Sequence, residues 1–109
     1  AYLDCSVAPE IHLSPMAQAQ LVRIVQEALA NVRKHSQAEN VRVGISAADG
    51  LLNVTVVDDG VGITRDARRG HFGLQTMRER AESASGGLTI TSNPGQGTQV
   101  AVWLPLLQE

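Results

Sequence analysis

The chain has 109 residues, 43% of them hydrophobic, which suits one domain around one core. Nine Lys and Arg stand against eleven Asp and Glu, a formal net charge of -2, so no basic field favours nucleic acid as a partner. One cysteine, Cys5, excludes an internal disulfide framework and a multi-thiolate metal site and suits a reducing compartment, and neither a signal peptide nor a long apolar run suggests contact with a membrane.

Tyr2 to Val7 alternates weakly and reads as a short edge strand ended by Pro9. Ser14-Pro15 has the form of a helix start, with serine as the cap and proline in the first turn. From Leu21, apolar residues recur at Ile24, Val25, Ala28, Leu29 and Val32, which predicts a helix from about Pro15 to His35. Gln20, Arg23, Glu27, Asn31 and Lys34 make a polar stripe on its other side, flanked by His35. Glu27 and Asn31 lie one turn apart. Asn is a mediocre helix former, so its presence in the last turns suggests that its amide has a task; a solvated face with a lysine near the C-terminus is the plainer reading.

A loop from Gln37 to Asn40 leads into the alternating strand Val41, Val43, Ile45. Asp49-Gly50 is a strong hairpin signal, so the next strand, Leu51 to Asp58, should pair antiparallel with it. Leu52, Val54, Val56 and Asp58 share one parity, whereas Asp59 has the other. Asp58 is therefore aimed inward at the strand's end, where a carboxylate is costly unless it meets a donor. Gly60 and Gly62 bare the backbone beside it, which makes room for a flat polar ring; an ordinary Asp-Gly turn is the alternative.

Thr64 to His71 is charged, aperiodic and contains Gly70, as an exposed mobile loop would be. Gly73 then opens a second helix, Leu74 to about Ser85, with Leu74, Met77, Ala81 and Ala84 inward and Gly86-Gly87 closing it. A glycine-bearing loop at a helix start offers N–H groups to phosphate, although a plain flexible linker has the same composition. Leu88 to Ser92 and Thr98 to Leu104 complete the strands, joined through Asn93 to Gly97. Val100, Val102 and Leu104 point inward. Thr98 shares their parity, and its hydroxyl needs a partner there. Pro105 ends the sheet, and the tail is expected to fray. The expected fold is α+β: a two-layer sandwich of a mixed, mainly antiparallel sheet with both helices on one face.

Four pieces stand in a fixed order: Glu27-x-x-x-Asn31, Asp58-x-Gly60-x-Gly62, Gly70-His71-Phe72-Gly73-Leu74 and Gly95-x-Gly97-Thr98. Together they resemble the ATP-binding domain shared by sensor histidine kinases, type II topoisomerases, mismatch-repair ATPases and the ninety-kilodalton heat-shock chaperone. More narrowly, the stretches Gln26 to Ser36 and Gly73 to Ala81 look like the matching helices of bacterial histidine kinases that pair with nitrate-response-type regulators. The resemblance covers nearly the whole chain.

It implies ATP and Mg²⁺ as cofactors and a role for each matching residue. Asp58 would accept from the adenine amino group, Gly60 and Gly62 would let the backbone approach the base, and Thr98 would reach adenine through water. Asn31 would be the metal ligand, with Glu27 orienting water or assisting proton removal, so that Glu27 and Asn31 are the catalytic candidates. Lys34 and His35 would face the phosphates. Residues from Thr64 to Phe72, with Gly70 and Phe72 among the contacts, would form a lid, and Gly73 and Leu74 would stand at the phosphate end of the second helix. The lid is short, with one Gly-x-x-Gly and no separate Phe-rich segment before it.

On this resemblance, residues 1–109 form one catalytic domain. Because the chain opens on Ala1 instead of Met, it is expected to be part of a larger cytoplasmic or membrane-anchored kinase. It would phosphorylate a histidine on a separate dimerisation and phosphoacceptor domain, upstream of a response regulator, and the fragment itself should be monomeric. None of His12, His35 and His71 is the phosphorylated histidine on this reading; His12 is expected in an exposed loop and His71 in the lid. A serine kinase of the anti-sigma type, or a nucleotide-binding module without phosphotransfer, is the alternative.

Overall fold

The computed structural model describes residues 2–6, 12–61, 73–92 and 95–107. The elements are β1 (Tyr2–Ser6), α1 (Pro15–Asn31), a π turn (Val32–Ser36), β2 (Val41–Ala48), β3 (Leu51–Asp58), α2 (Leu74–Ser83), β4 (Gly87–Ser92) and β5 (Thr98–Pro105). The lid assigned to residues 64–72, with Gly70, His71 and Phe72, lies outside the described residues, as does Gly62.

The five strands form one sheet in the order β1-β2-β3-β5-β4. β1 runs parallel to β2 at one edge; every other pair is antiparallel. Asp49 and Gly50, at φ 55° and 77°, make the tight turn between β2 and β3 and set the register Ala48 opposite Leu51. Two successive positive-φ residues match the right-handed twist of the flanking strands. The sheet is thus mixed and mainly antiparallel, and the two helices cover one face.

Period-two alternation explains the core. Leu52, Val54 and Val56 of β3, Val100, Val102 and Leu104 of β5 and Leu88 of β4 are buried against Ile24 and Ala28 of α1 and Met77 and Ala81 of α2. α1 starts as its sequence dictates: the Ala17 N–H donates to Oγ of Ser14 at 3.1 Å, and Pro15 opens the first turn. Leu29, placed on the apolar face by periodicity, is 39% exposed instead, because the buried strip narrows to Ala17, Ile24 and Ala28 with Leu21, Val25 and Val32 packed beside it.

Three expectations change in detail. The first helix does not run as an α-helix to His35; it ends at Asn31 and continues as the π turn, which Gln37 closes at φ 57°. The Val32 N–H is shared between the Ala28 and Leu29 carbonyls where the winding changes. α2 ends at Ser83, and the left-handed residue beyond it is Ser85 (φ 64°), not a glycine. The Ser85 N–H donates to the Glu82 carbonyl at 3.0 Å and the Gly86 N–H to that of Ala81 at 2.9 Å, the paired bonds that close such helices. Gly86 serves a different need: a Cβ there would come within 2.0 Å of the Trp103 carbonyl oxygen, so the backbone passes directly against β5. Lastly, the tail does not fray immediately after Pro105. The Leu106 N–H donates to the Gly50 carbonyl and the Leu107 N–H to that of His12, each at 2.9 Å. His12 is exposed, as expected. No helix among the described residues is long and apolar enough to cross a membrane.

Candidate nucleotide site

The end of β3 gathers the candidate residues. Asp58 continues the inward parity of Val54 and Val56 and is 7% exposed, the single buried charged side chain among the described residues. Its Oδ1 accepts the Gly60 N–H at 2.8 Å, so one carboxylate oxygen is held by the turn itself. On one side it pairs with Val41, the first residue of β2, and on the other with Thr98, the first residue of β5.

Thr98 is half-buried, as its parity requires. Its Oγ1 lies 3.2 Å from Oγ of Ser92, which in turn donates to the Gly97 carbonyl at 3.2 Å. With the Ser92 proton engaged, Thr98 is the donor in the hydroxyl pair and keeps lone pairs for a further partner. Ser92 was not singled out by the sequence, because a serine at the end of an edge strand is ordinary until β4 and β5 are in register. Gly97 has φ 91°, and a Cβ on it would meet the Asp58 carbonyl oxygen at 2.0 Å. The glycine is required both by its backbone conformation and by the close passage of the β3 end beside it.

The second half of the site comes from the helices. Glu27 and Asn31 lie one turn apart near the end of α1, Glu27 exposed and Asn31 half-buried, with exposed Lys34 in the π turn. His35 lies in the same turn. Gly73 caps α2 at φ 67°, and a Cβ on it would stand 2.7 Å from Oε1 of Glu27. The start of α2, with Leu74 as its first residue, is therefore laid against the carboxylate of α1.

The polar stripe of α1 is thus not simply a solvated face. Nη1 of Arg80 on α2 donates to Oε1 of Gln20 at 3.2 Å, and a cavity of about 280 Å³ between the helices is bordered by Arg23, Glu27, Thr76 and Arg80. A larger hollow of about 780 Å³ at the sheet's end is lined by Asn40, Arg42, Val57 and Asp59 as well as Asp58. Arg42 and Val57 face away from the helices, so this hollow reaches around the far side of the β3 end.

Asp59 points outward, as parity predicts, and it is fully engaged there. Oδ1 accepts the Glu39 and Asn40 N–H groups at 2.9 and 3.0 Å, and Oδ2 accepts Nδ2 of Asn40 at 2.9 Å. The Asn40 backbone and side-chain donors, more than offsetting slight desolvation, hold its carboxyl below the ordinary value of 3.8. Asp59 fastens the linker between the π turn and β2. Only the fold brings Asn40 within reach, across 19 residues of sequence.

The topology thus brings the chemistry to one end of a two-layer domain: an acid and a hydroxyl on adjacent strands, an acid and an amide on a helix, and a glycine-started helix against them. Residues 16–108 match the model of the histidine kinase-, DNA gyrase B- and HSP90-like ATPases, and the chain belongs to that family. It is 39% identical over 102 residues to the nitrate/nitrite sensor protein NarQ of Escherichia coli, covering 92% of this chain and 18% of that protein. It is 38% identical over 98 residues to the sensor histidine kinase LiaS of Bacillus subtilis, covering 89% of this chain and 27% of that protein. The histidine kinase domain of the Erythrobacter litoralis EL346 blue-light activated kinase superposes with a TM-score of 0.78 at 25% identity, over 95% of this chain and 50% of that one. The chain spans less than a third of the length of these two curated sensor proteins.

Proposed function

We propose that this domain binds Mg-ATP and donates the γ-phosphoryl group to a histidine on a separate dimerisation and phosphoacceptor domain of the same kinase, in the cytoplasm and upstream of a response regulator. The observation that carries the reading is the pairing of Asp58 with Thr98 on the strand side while Glu27 abuts Gly73 on the helix side. On this reading the strand side would recognise the base and the helix side would bind the phosphates.

In the first half, Oδ1 of Asp58 is engaged by Gly60, so Oδ2 is the oxygen left to accept the exocyclic amino group of adenine. Gly60 and Gly62 keep side chains away from the base, and Thr98 offers its lone pairs through a water. In the second half, the first turn of α2, which follows Gly73 and begins at Leu74, would present N–H groups to phosphate, supported by Lys34 and His35. Gly70 and Phe72, in the segment assigned as the lid, would add contacts from above.

The residues fit a magnesium ion. Asn31 supplies a hard oxygen, with the Glu27 carboxylate one turn away to hold a water of the ion's shell or to assist proton removal. Magnesium takes few protein ligands and arrives with phosphates. When bound, the ion neutralises charge on the phosphates. Catalysis by the chain's own residues is then chiefly positioning: Asp58 fixes the base, and α1 and α2 fix the phosphate chain relative to it.

The test is transfer from radiolabelled ATP to a separately supplied acceptor domain from the parent protein, followed by acid treatment. Acid-labile label, lost when Asn31 is replaced by Ala, is expected. Acid-stable label would point to a serine kinase, and tight ATP binding without transfer to a binding module.

A further inference from the structure

The two halves of the site are carried by different parts of the chain, and the described structure fastens them together at the joint between α1 and β2. Asn31 and Lys34 belong to the last turn of α1 and to the π turn. The π turn ends in Gln37, a non-glycine residue at φ 57°, and Ala38 to Asn40 then lead into β2. Two and three residues beyond Gln37, the linker is fastened by Asp59. Its carboxylate receives both successive N–H groups of Glu39 and Asn40 and the Asn40 amide, and its own N–H donates to the Asn40 carbonyl at 3.3 Å.

Asp58, by contrast, does not depend on this clasp. It is fixed by strand pairing to Val41 and Thr98 and by the Gly60 N–H. Adjacent carboxylates of opposite parity thus face opposite ways: one into the proposed base pocket, the other into the linker.

We infer that Asp59 is a positioning residue which sets the metal- and phosphate-binding end of α1, with Asn31 and Lys34, relative to the base-binding Asp58. The inference rests on the nucleotide-site reading above. Removing the Asp59 carboxylate frees Glu39 and Asn40 and lets the π turn and the last turn of α1 relax, while the strand side stays in register. The consequence is a split: base recognition persists, and the contribution of magnesium is lost.

The experiment measures affinity of the 109-residue chain for a non-hydrolysable ATP analogue by calorimetry, with Mg²⁺ and with EDTA. The variants are Asp59→Ala, Asp59→Asn and Asp58→Ala, with melting temperature recorded for each. Asp59→Ala is expected to leave EDTA affinity within about twofold of wild type while reducing the gain from Mg²⁺ by about tenfold. Asp59→Asn should recover most of that gain, because its oxygen still accepts both backbone N–H groups and the Asn40 amide can turn to accept from the new NH₂. Asp58→Ala should lose affinity in both conditions.

A merely structural role would lower the melting temperature without separating the two affinities. Equal loss in both conditions, or an unchanged Mg²⁺ gain in folded Asp59→Ala, overturns the inference while leaving the site reading in place provided that Asp58→Ala loses affinity. If Asp58→Ala binds as wild type, the site reading falls and takes the inference with it. Should Asp59→Ala fail to fold, Asn40→Ala, which removes one side-chain bond and leaves the two backbone bonds, must show the same split in weaker form. Its absence overturns the inference.

Discussion

The main-chain N–H of Gly60 reaches back to Oδ1 of Asp58 at 2.8 Å, so the turn that bares the proposed pocket also orients its acid. Replacing Asp58 by Asn sets these two duties against each other. If the amide oxygen keeps the Gly60 bond, the NH₂ faces the adenine amino group, donor against donor. If the amide turns over, the buried Gly60 N–H loses its acceptor. Either arrangement costs roughly 1–3 kcal/mol, or about one to two decades in ATP affinity. GTP should bind poorly to wild type, since guanine places a carbonyl where adenine has its amino group. Titration of wild type and Asp58→Asn with both nucleotides checks this; unchanged ATP affinity in the variant would dismiss Asp58 as the adenine acceptor.

Gly97→Ala should be among the most damaging single-methyl additions. A Cβ there would lie 2.0 Å from the Asp58 carbonyl oxygen, on a backbone at φ 91°. Neither β3 nor the turn can give way without disturbing Asp58. The expected loss is about 3 kcal/mol or more, seen as a fall of roughly 10 °C or more in melting temperature, with ATP affinity reduced in whatever fraction folds.

Gly73→Ala should be milder and partly reversible. Its Cβ would meet the flexible end of Glu27, 2.7 Å away, and the left-handed conformation at φ 67° adds about 1–2 kcal/mol. In the double variant with Glu27→Ala the contact disappears but the backbone strain stays, so part of the loss in stability should return. Denaturant melts of the two single variants and the double variant measure the coupling, and strict additivity would refute the contact.

Ser85→Gly should stabilise the domain. Ser85 is exposed, sits at φ 64° and closes α2 through its backbone alone. Glycine adopts that conformation without a Cβ penalty, and after its greater unfolded-state freedom is counted, a net gain of about 0.5–1 kcal/mol is expected in a chemical melt.

Asp59 makes stability depend on acidity in a defined direction. Its carboxyl titrates below 3.8 in the folded protein because the charged form is held by Asn40 and Glu39. A depressed folded value means that this contribution is fully present above the unfolded value near 4 and is lost as the pH falls through the folded one. Wild type should therefore lose more stability than Asp59→Asn on acidification below about pH 4, with the two curves converging at the acid end. Parallel curves would show that the hydrogen bonds to Asp59 do not favour its charged form.

The sequence alone determined the parts of this protein that rest on local periodicity. Alternation in β3 and β5 set the inward parity of Asp58 and Thr98, the Asp49-Gly50 turn set the register of the central strands, and Ser14-Pro15 set the start of α1. These are short-range relations, and two-residue or one-turn periods carry them without tertiary help. The ordered motifs also carried the family resemblance, since their order and spacing are written in the chain. The contacts between segments distant in sequence, and the backbone states that packing imposes, arise on folding alone. The π winding after Asn31, the left-handed Ser85 ahead of a glycine pair and the clasp of Asp59 on Asn40 leave no local signature. An outward acid at a strand end looks the same in sequence whether it meets water or three donors, and the difference is made by a linker folded back beside β3.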